Sequence, residues 1–498
     1  MTRTELISYI EKTIAEGPFS ASWDSLEEYR PPKWLNESKL GIFIHWGVYS
    51  VPAFENEWYP RNMYIKGSKA YEHHIKTYGA QFGYKDFVPM FKAEKFDPAD
   101  WADLFKKSGA KYVVPVAEHH DGFKLYGSDL TPWNAEQMGP KRNLVKELSN
   151  EIRKQGMIFG VSNHRAENIW FFDGGLRYDC DVSRGECPGL YNKTQPKEPY
   201  CDMVMSPPTE EHMEDWLLTN CELVLKLKPQ IVWFDWWIHN LAFKPYLKKF
   251  AAFYYNMAAK WGKEVMINYK HEAFPLQTAV FDMERGQLDG IRPLPWQTDT
   301  AVAKNSWCYT ENNEYKEPND ILCDFVDIIS KNGALLLNIG PKADGTIPDE
   351  DRRILLEIGK WMERNGEAVY GSCYCSRYGE GPTEIVGGTF NDDKRQKFTS
   401  KDMRFTKKDG NYYVFLLKWP SDGKAAIESM GISRLSTTER FSGFTNYLDN
   451  GLVDKPVQSV SLLGDSGKVI FSQQEDALHI DLSNCQKCDY PAVLKIIV

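Results

Sequence analysis

Asp235 follows a short apolar run, residues 231–234, and is framed by tryptophans at positions 233, 236 and 237. A run of β-branched and aromatic residues that ends in a carboxylate is typical of a buried barrel strand whose last side chain reaches into a site. The tryptophans favour a pocket for the apolar face of a ring, and sugars have such a face. The alternative is that Asp235 caps the next helix from the end of the strand.

Polar side chains also follow the other apolar runs of the chain. Because the carboxyl ends of the strands in a parallel barrel meet at one rim, where barrel active sites are built, we expect these side chains to converge. They are His45, Trp46, Glu57 and Trp58 after the first run, Glu118, His119, His120 and Asp121 after the second, Asn163 and His164 after the third, and Asp282, Glu284 and Arg285 after a later run.

The elements that must position these residues alternate between strand and helix from about residue 38 to 365. Apolar runs predict strands at 39–44, 111–116, 157–161, 231–234, 264–268, 279–281 and 334–339, and helical patterns lie at 97–109, 143–154, 214–226, 244–260, 320–331 and 349–364. Strands that are apolar throughout predict a parallel sheet covered by helices. The number of units favours an α/β fold of the (β/α)8-like TIM barrel type, since no glycine-rich phosphate loop indicates an open doubly wound sheet.

Beyond about residue 370 the pattern changes to short apolar runs separated by Gly, Asp and Ser. These runs, at 411–417, 457–463, 468–471 and 478–482, predict a C-terminal antiparallel β-sandwich. We therefore expect a catalytic barrel domain at 1–367 and a β-sandwich domain at 368–498. The second domain has few clustered ionisable groups, so we expect it to support or extend the site.

The composition excludes several classes of function. The net charge is −9 with acids and bases mixed along the chain, so no basic stripe indicates a nucleic-acid partner. No run approaches about 18 apolar residues, so neither a membrane span nor a membrane partner is expected. The first twelve residues resemble a short amphipathic helix rather than a signal peptide, which predicts a cytoplasmic protein unless a signal was removed before this numbering begins.

The ten cysteines do not form one clear framework. Cys221 and Cys323 lie in helical patterns and are expected to be small buried hydrophobic residues. A zinc site made by two close pairs is an alternative that we disfavour, because turns do not bracket both pairs. The two pairs are Cys373 with Cys375 and Cys485 with Cys488. Cys180, Cys187 and Cys201 crowd one loop, where free thiols are expected without a signal peptide.

Taken together, the motifs resemble those of the α-L-fucosidases of glycoside hydrolase family 29. The matching segments appear in the family's order at 41–47, 56–59, 119–123, 233–235 and 336–345, and the C-terminal β-sandwich also fits. The resemblance implies hydrolysis of terminal α-L-fucosyl residues on glycans or glycosides by a retaining double displacement, with no metal and no cofactor. It also implies that Asp235 is the nucleophile.

The second carboxyl group is harder to place from sequence. A retaining glycosidase needs two carboxyl groups about 5–5.5 Å apart, one ionised and the other a proton donor with a raised pKa. The family's spacing favours Glu284 as the acid/base, and Asp282 and Asp299 are the alternatives. Gln297 stands where some relatives carry a glutamate, and an amide cannot donate a titrating proton.

The resemblance also implies a set of sugar-binding residues. Neutral imidazoles and a carboxylate can hydrogen-bond to the hydroxyls of fucose, and aromatic rings can pack on its methyl face. The predicted set is His45, Trp46, Glu57, Trp58, His119, His120, His164, Trp233, Arg285 and Trp296. Metal binding by the triplet 119–121 is an alternative, because adjacent His and Asp can ligate a metal. It is disfavoured because a metal triad usually needs a third ligand at a defined helical or strand spacing, and because the resemblance implies no metal.

Some features stay open or are assigned to the scaffold. Residues 338–341 and the turn at 344–345 are expected to shape the last strand rather than to take part in chemistry. Transfer of fucose to a sugar hydroxyl and non-catalytic fucose binding are the alternative functions. The sequence does not define the linkage preference, which depends on loops such as 173–200 and 304–315, or the oligomeric state.

Overall fold

Eight parallel strands close into a barrel in the order in which they occur in the chain. The structure, a computed structural model, describes residues 1–197, 207–392, 394, 396–435 and 451–498. The barrel strands are β1 (Leu40–Ile44), β2 (Tyr112–Glu118), β3 (Ile158–Asn163), β4 (Ile231–Phe234), β5 (Met266–Tyr269), β6 (Val280–Glu284), β7 (Trp296–Ala301) and β8 (Gly333–Ile339). Because β1 pairs with both β2 and β8, the sheet has no free edge.

Helices cover most of the outer face of the barrel. They are α1 (Arg3–Glu16), α2 (Trp23–Leu26), α3 (Lys33–Ser38), α4 (Tyr59–Asn62), α5 (Lys69–Tyr78), α6 (Pro98–Lys107), α7 (Leu144–Lys154), α8 (Asn168–Phe171), α9 (Glu210–Leu227), α10 (Lys244–Trp261), α11 (Pro318–Ser330) and α12 (Asp349–Asn365). The start of α6 is as the sequence predicts, with Asp97 as the cap and Pro98 in the first turn. In the described stretch 270–295 no helix follows β5 or β6, so two of the eight units lack one. Among the described residues, no helix combines the length and apolar content needed to cross a bilayer.

The strand β7 differs from the other barrel strands because its sequence is polar. Its residues are all buried, although Gln297, Thr298 and Asp299 interrupt any apolar pattern. Their polar groups are paired: the Gln297 amide donates to Asp282 in the barrel interior at 2.6 Å, and the Thr298 hydroxyl donates to the carbonyl of Met283 at 2.7 Å. Hydrophobic periodicity did not predict this strand, because its buried side chains are largely polar and are stabilised by hydrogen bonds rather than by apolar contacts.

The C-terminal region folds as two antiparallel sheets. Its strands are β9 (Cys373–Glu380), β10 (Met403–Lys408), β11 (Asn411–Leu416), β12 (Lys424–Ile427), β13 (Ser459–Leu462), β14 (Ile470–Gln473), β15 (Leu478–Asp481) and β16 (Ala492–Ile497). One sheet has the order β13-β16-β11-β10-β9 and the other β12-β15-β14. Apolar side chains of both sheets, such as Val414 and Ile480, share one core. The predicted barrel followed by an antiparallel β domain is thus confirmed.

The cysteines take up mainly buried positions. Cys221 in α9 and Cys323 in α11 are buried, as expected from their helical patterns. Cys373 is exposed on β9 and Cys375 is buried, and the close groups of potential metal ligands among the described residues do not include them. Cys180 and Cys187 are buried free thiols. Cys201, the third cysteine of that loop, lies outside the described residues.

Candidate active site

A cavity of about 460 Å³ opens at the carboxyl ends of the barrel strands. Nine of the twelve residues that the sequence nominates line it, and they come from β4, the end of β6 and the segments that follow β1, β2, β3 and β4. These nine are His45, Glu57, Trp58, His119, His120, His164, Trp233, Asp235 and Glu284. Asp299, an alternative acid/base, Trp236, one of the tryptophans beside Asp235, and Asn56, part of a matching segment, also line the cavity. The sequence did not indicate the remaining lining residues, which are His271, Trp307 and Phe390.

Asp235 lies immediately after β4 and is held in one orientation. One oxygen accepts the backbone N–H of Trp236 at 2.7 Å, so Asp235 also caps the short turn that follows. The other oxygen lies 2.9 Å from Nδ1 of His164 and 3.5 Å from Nε2 of His120. Burial raises the pKa of this carboxyl, but the His164 hydrogen bond and the charges of His120 and Lys270 outweigh burial and hold the pKa well below its ordinary value. Asp235 is therefore an ionised carboxylate inside the cavity.

Two histidines beside Asp235 differ in charge. Burial lowers the pKa of His120, but the carboxylates of Glu167 and Asp235 raise it to about 9, so this ring is protonated. Its Nδ1 lies 3.3 Å from Glu167. The positive ring of His120 therefore lies between the carboxyl groups of Asp235 and Glu167. Burial lowers the pKa of His164 to about 4, so this ring is neutral. His164 donates from Nδ1 to Asp235, and its Nε2, 2.9 Å from Ser162, accepts the hydroxyl hydrogen.

The opposite wall of the cavity is built around Asn338, the sixth residue of β8. Its Oδ1 lies 2.7 Å from Nδ1 of His45, and its Nδ2 donates to the carbonyl of Trp307 at 2.6 Å. The backbone N–H of Trp307 in turn donates to Glu57 at 3.0 Å. The expectation that Asn338 only shapes the last strand was wrong, because this amide orients both His45 and the loop that holds Glu57. Burial raises the pKa of Glu57.

His119 occupies the centre of the histidine group. Burial and the neighbouring histidines hold its pKa well below the ordinary value, so the ring is neutral. Its Nδ1 has no hydrogen-bond partner within the described part of the chain. A buried polar atom of this kind costs free energy unless a ligand satisfies it. His119 is therefore suited to hydrogen-bond with a bound hydroxyl.

Lys270, just after β5, organises the acidic side of the barrel. Its Nζ lies 2.8 Å from Asp299, 3.3 Å from Asp282 and 3.3 Å from Glu284. Burial raises the pKa of Glu284, and the charges of Asp299 and Asp235 raise it further, so that it reaches about 7 although Lys270 lowers it. Neighbouring carboxyl groups whose pKa values are pushed apart mark the acid and the base of a site. The sequence-based prediction did not include Lys270, although its place directly after a strand is a signal that could have identified it.

The two alternative acids differ in where they lie. Asp282 is buried below the cavity, between Lys270 and the amide of Gln297. Asp299 lines the cavity, and burial together with Asp282 raises its pKa well above the ordinary value. Gln297 also accepts the hydroxyl of Tyr112 at 2.9 Å, so it connects strands on opposite sides of the barrel interior. Glu284, at the end of β6, is the carboxyl group of this cluster that is closest to the rim along its strand.

Two of the tryptophans predicted to bind sugar, Trp46 and Trp296, are not brought into the cavity lining. Trp46 follows His45 and points to the opposite side of the chain, where its ring lies 5.0 Å from that of Trp101 and Nε1 donates to Lys342. Trp296 is the first residue of β7 and therefore lies at the amino end of the barrel, away from the rim. Its Nε1 donates to the carbonyl of Lys331 at 3.0 Å.

Arg285 also does not line the cavity, because it lies behind one of its walls. Its guanidinium stacks 4.5 Å from the ring of Trp307 and donates to the carbonyls of Ala303 and Ser306. It thus fixes the loop that presents Trp307 to the cavity. The structure therefore does not bring Arg285, predicted to bind substrate, into the cavity lining.

The histidines form two groups whose ligand atoms lie within 4.8 Å of one another, His45 with His119 and His164, and His120 with His164 and Asp235. Asp121 belongs to neither, because its carboxylate accepts the hydroxyl of Tyr84 at 2.6 Å and so points away. His164, common to both groups, already makes hydrogen bonds with both ring nitrogens. The triplet 119–121 is therefore not a preformed metal site.

A barrel rim that brings an aspartate of low pKa and a glutamate of raised pKa into one cavity is the arrangement typical of glycoside hydrolases. Residues 6–367 match the family model described as alpha-L-fucosidase, and residues 395–497 match the model of the alpha-L-fucosidase C-terminal domain. The chain belongs to the α-L-fucosidase family.

Individual relatives agree with this family. The chain is 32% identical to the tissue α-L-fucosidase of Rattus norvegicus over 434 residues, which cover 84% of this chain and 82% of the relative. It is 31% identical to the plasma α-L-fucosidase of Homo sapiens over 423 residues, 82% of this chain and 80% of the relative. Its structure is similar to that of Thermotoga maritima α-fucosidase, with a TM-score of 0.74 at 30% identity, covering 96% of this chain and all of the other. The same enzyme in complex with fucose gives a TM-score of 0.71.

Proposed function

We propose that this protein hydrolyses terminal α-L-fucosyl residues of glycans or glycosides with retention, through a fucosyl-enzyme intermediate on Asp235. The observation that carries the proposal is the opposite displacement of two pKa values in one cavity, low for Asp235 and about 7 for Glu284. A retaining glycosidase needs one carboxylate that attacks and one carboxylic acid that donates a proton. Membership of the α-L-fucosidase family and a similar enzyme solved with fucose support fucose as the sugar.

In the first step the carboxylate of Asp235 attacks the anomeric carbon. A bond forms between that carbon and an Asp235 oxygen while the glycosidic bond breaks, and Glu284 gives its proton to the departing oxygen. His164 and the backbone N–H of Trp236 fix the attacking carboxylate. The protonated His120, 3.5 Å from Asp235, keeps it ionised until it reacts.

In the second step Glu284, now a carboxylate, takes a proton from water. The water oxygen bonds to the anomeric carbon and Asp235 leaves with its electron pair, which restores both groups. Lys270, 3.3 Å from Glu284, stabilises the ionised form that exists between the two steps. Because burial and nearby carboxylates favour the neutral form, Glu284 can change its charge twice in each turnover at a low energetic cost.

The rest of the cavity suits the sugar. His45, His119 and Glu57 offer hydrogen-bonding groups for hydroxyls, and Trp58 and Trp233 offer apolar faces. A non-catalytic binding protein would need none of the charge arrangement around Asp235 and Glu284. The presence of both carboxyl groups with opposite pKa displacements therefore favours catalysis over mere fucose binding.

The test is nitrophenol release from an aryl α-L-fucoside by the wild type and by Asp235→Ala, each with and without azide. We expect turnover by the wild type, a loss of at least about 10³-fold in the variant, and recovery with azide as a β-fucosyl azide, since the small anion occupies the vacated space. Asp24→Ala, a substitution of an exposed aspartate, is the matched control. Its turnover should equal that of the wild type and should not change when azide is added. Full activity of Asp235→Ala would refute the proposal.

A further inference from the structure

Among the described residues, Phe390 is the one residue of the cavity lining that lies beyond the barrel in the chain. It belongs to the segment between β9 and β10 of the β-sandwich, and it lines the same cavity as Asp235 and Glu284. Its side chain is 53% exposed, which is high for a phenylalanine. A large aromatic ring that is left half in solvent at a cavity mouth is available to pack against a ligand.

The segment 386–392, which we call the rim segment, is fixed to the barrel by its backbone. Phe390 donates its N–H to the carbonyl of Glu284 at 3.0 Å, and Asn391 donates to the carbonyl of Arg285 at 2.9 Å. Gly388 donates to the carbonyl of Gln287 at 3.0 Å. The rim segment therefore lies directly along the residues that carry the proposed acid/base.

A buried charge locks the end of the rim segment. The carboxylate of Asp392 accepts a hydrogen bond from Thr300 at 2.7 Å and lies 2.5 Å from the ammonium of Lys316. At the middle of the segment the two backbones approach so closely that a Cβ at Gly286 would lie 1.9 Å from the carbonyl oxygen of Gly388. The position of Phe390 is thus imposed by the barrel and is not that of a loose surface loop.

The backbone of Phe390 is in the left-handed region, with φ 53°. Residues with a Cβ avoid this region, and such conformations are concentrated at ligand-binding sites, where the surrounding structure enforces them. Here the hydrogen bonds on both sides of Phe390 enforce it. An enforced conformation of this kind is typical of a residue that contacts a ligand.

The position next to Glu284 identifies the part of the substrate that the ring meets. The acid/base must reach the oxygen of the leaving group, so the leaving group lies on the Glu284 side of the cavity. We propose that Phe390 is the platform of the leaving-group subsite, where it stacks on a ring-shaped leaving group, either a sugar with an apolar face or an aryl group. This inference rests on the proposed function, because it uses Glu284 as the proton donor.

The inference predicts a dependence on the leaving group. We would measure kcat/KM of the wild type and of Phe390→Ala with 4-nitrophenyl α-L-fucoside and with α-L-fucosyl fluoride. Both substrates have good leaving groups, but only the first has a ring for Phe390 to contact. The ratio of the two kcat/KM values should fall roughly tenfold in Phe390→Ala, and Phe390→Trp should retain it.

Val386→Ala is the matched control, because Val386 is an apolar residue of the same rim segment that is 76% exposed and does not line the cavity. It should leave both rates unchanged. An unchanged ratio of the two kcat/KM values in Phe390→Ala, whether both stay the same or both fall equally, would overturn the inference and leave the proposed function intact. If the wild type released neither nitrophenol nor fluoride, the proposed function itself would fail.

Discussion

The raised pKa of Glu284 predicts the pH at which activity is lost. The pKa is about 7 against an ordinary value of 4.5, which corresponds to about 3 kcal/mol against the ionised form. The first step needs the protonated acid, so kcat/KM should fall as the pH rises through 7. The protonated fraction drops roughly tenfold between pH 6 and pH 8, and kcat/KM for an aryl α-L-fucoside should fall by the same factor. The pKa of Asp235 is low, so the acidic loss of activity should begin far below neutrality.

The variant Glu284→Gln isolates the group responsible for this loss. Its residual turnover is measured on α-L-fucosyl fluoride, whose leaving group needs little protonation, and it should show no loss of rate near pH 7. Glu272→Gln, at an exposed glutamate close to β5, is the control and should keep the wild-type profile. If the loss near pH 7 persisted in Glu284→Gln, the group that titrates there would be a different one and the assignment of Glu284 would be refuted.

Two further predictions concern residues that position the site. Asn338→Ala should lower kcat/KM about tenfold, mainly through KM, because His45 loses a buried hydrogen bond worth about 1–3 kcal/mol; titration with fucose as an inhibitor checks this, and unchanged affinity would contradict it. Lys270→Met should lower the free energy of unfolding in urea by about 3–5 kcal/mol, because buried carboxylates lose their shared cation. Lys263→Met, at an exposed lysine, is the control, and equal stabilities of the two variants would contradict the role of Lys270.

The barrel and much of the rim could be predicted because local sequence carries them. The apolar run of β4 ends at Asp235, and this place after a strand end is sufficient to bring the acid to the rim. The same reasoning located His119, His120 and His164. It did not hold for Trp46, whose ring packs against Trp101 and donates to Lys342 while the preceding His45 faces the cavity.

The residues that the sequence did not reveal depend on contacts between distant parts of the chain. Asn338 reaches His45, 293 residues away, only because β8 closes the barrel against β1. Lys270 has three acidic neighbours that lie on other strands. Phe390 comes to the cavity only because the β-sandwich inserts a segment along the end of β6. No local pattern contains such information, because each contact is set by closure of the barrel or by domain packing.

The choice among the three candidate acids shows how fold geometry completes a sequence argument. Asp282 and Glu284 are two residues apart on β6, so both point to the barrel interior, and the pairing of β6 with β7 places Asp299 beside Glu284. Spacing therefore cannot separate them, since all three meet the same lysine. Depth and neighbours separate the two acids on β6: Asp282 is buried and bonded to an amide and Lys270, whereas Glu284 ends its strand, faces the cavity and has the rim segment against its backbone. A proton donor must reach its substrate, and of the two acids on β6 only Glu284 lines the cavity that the substrate would enter.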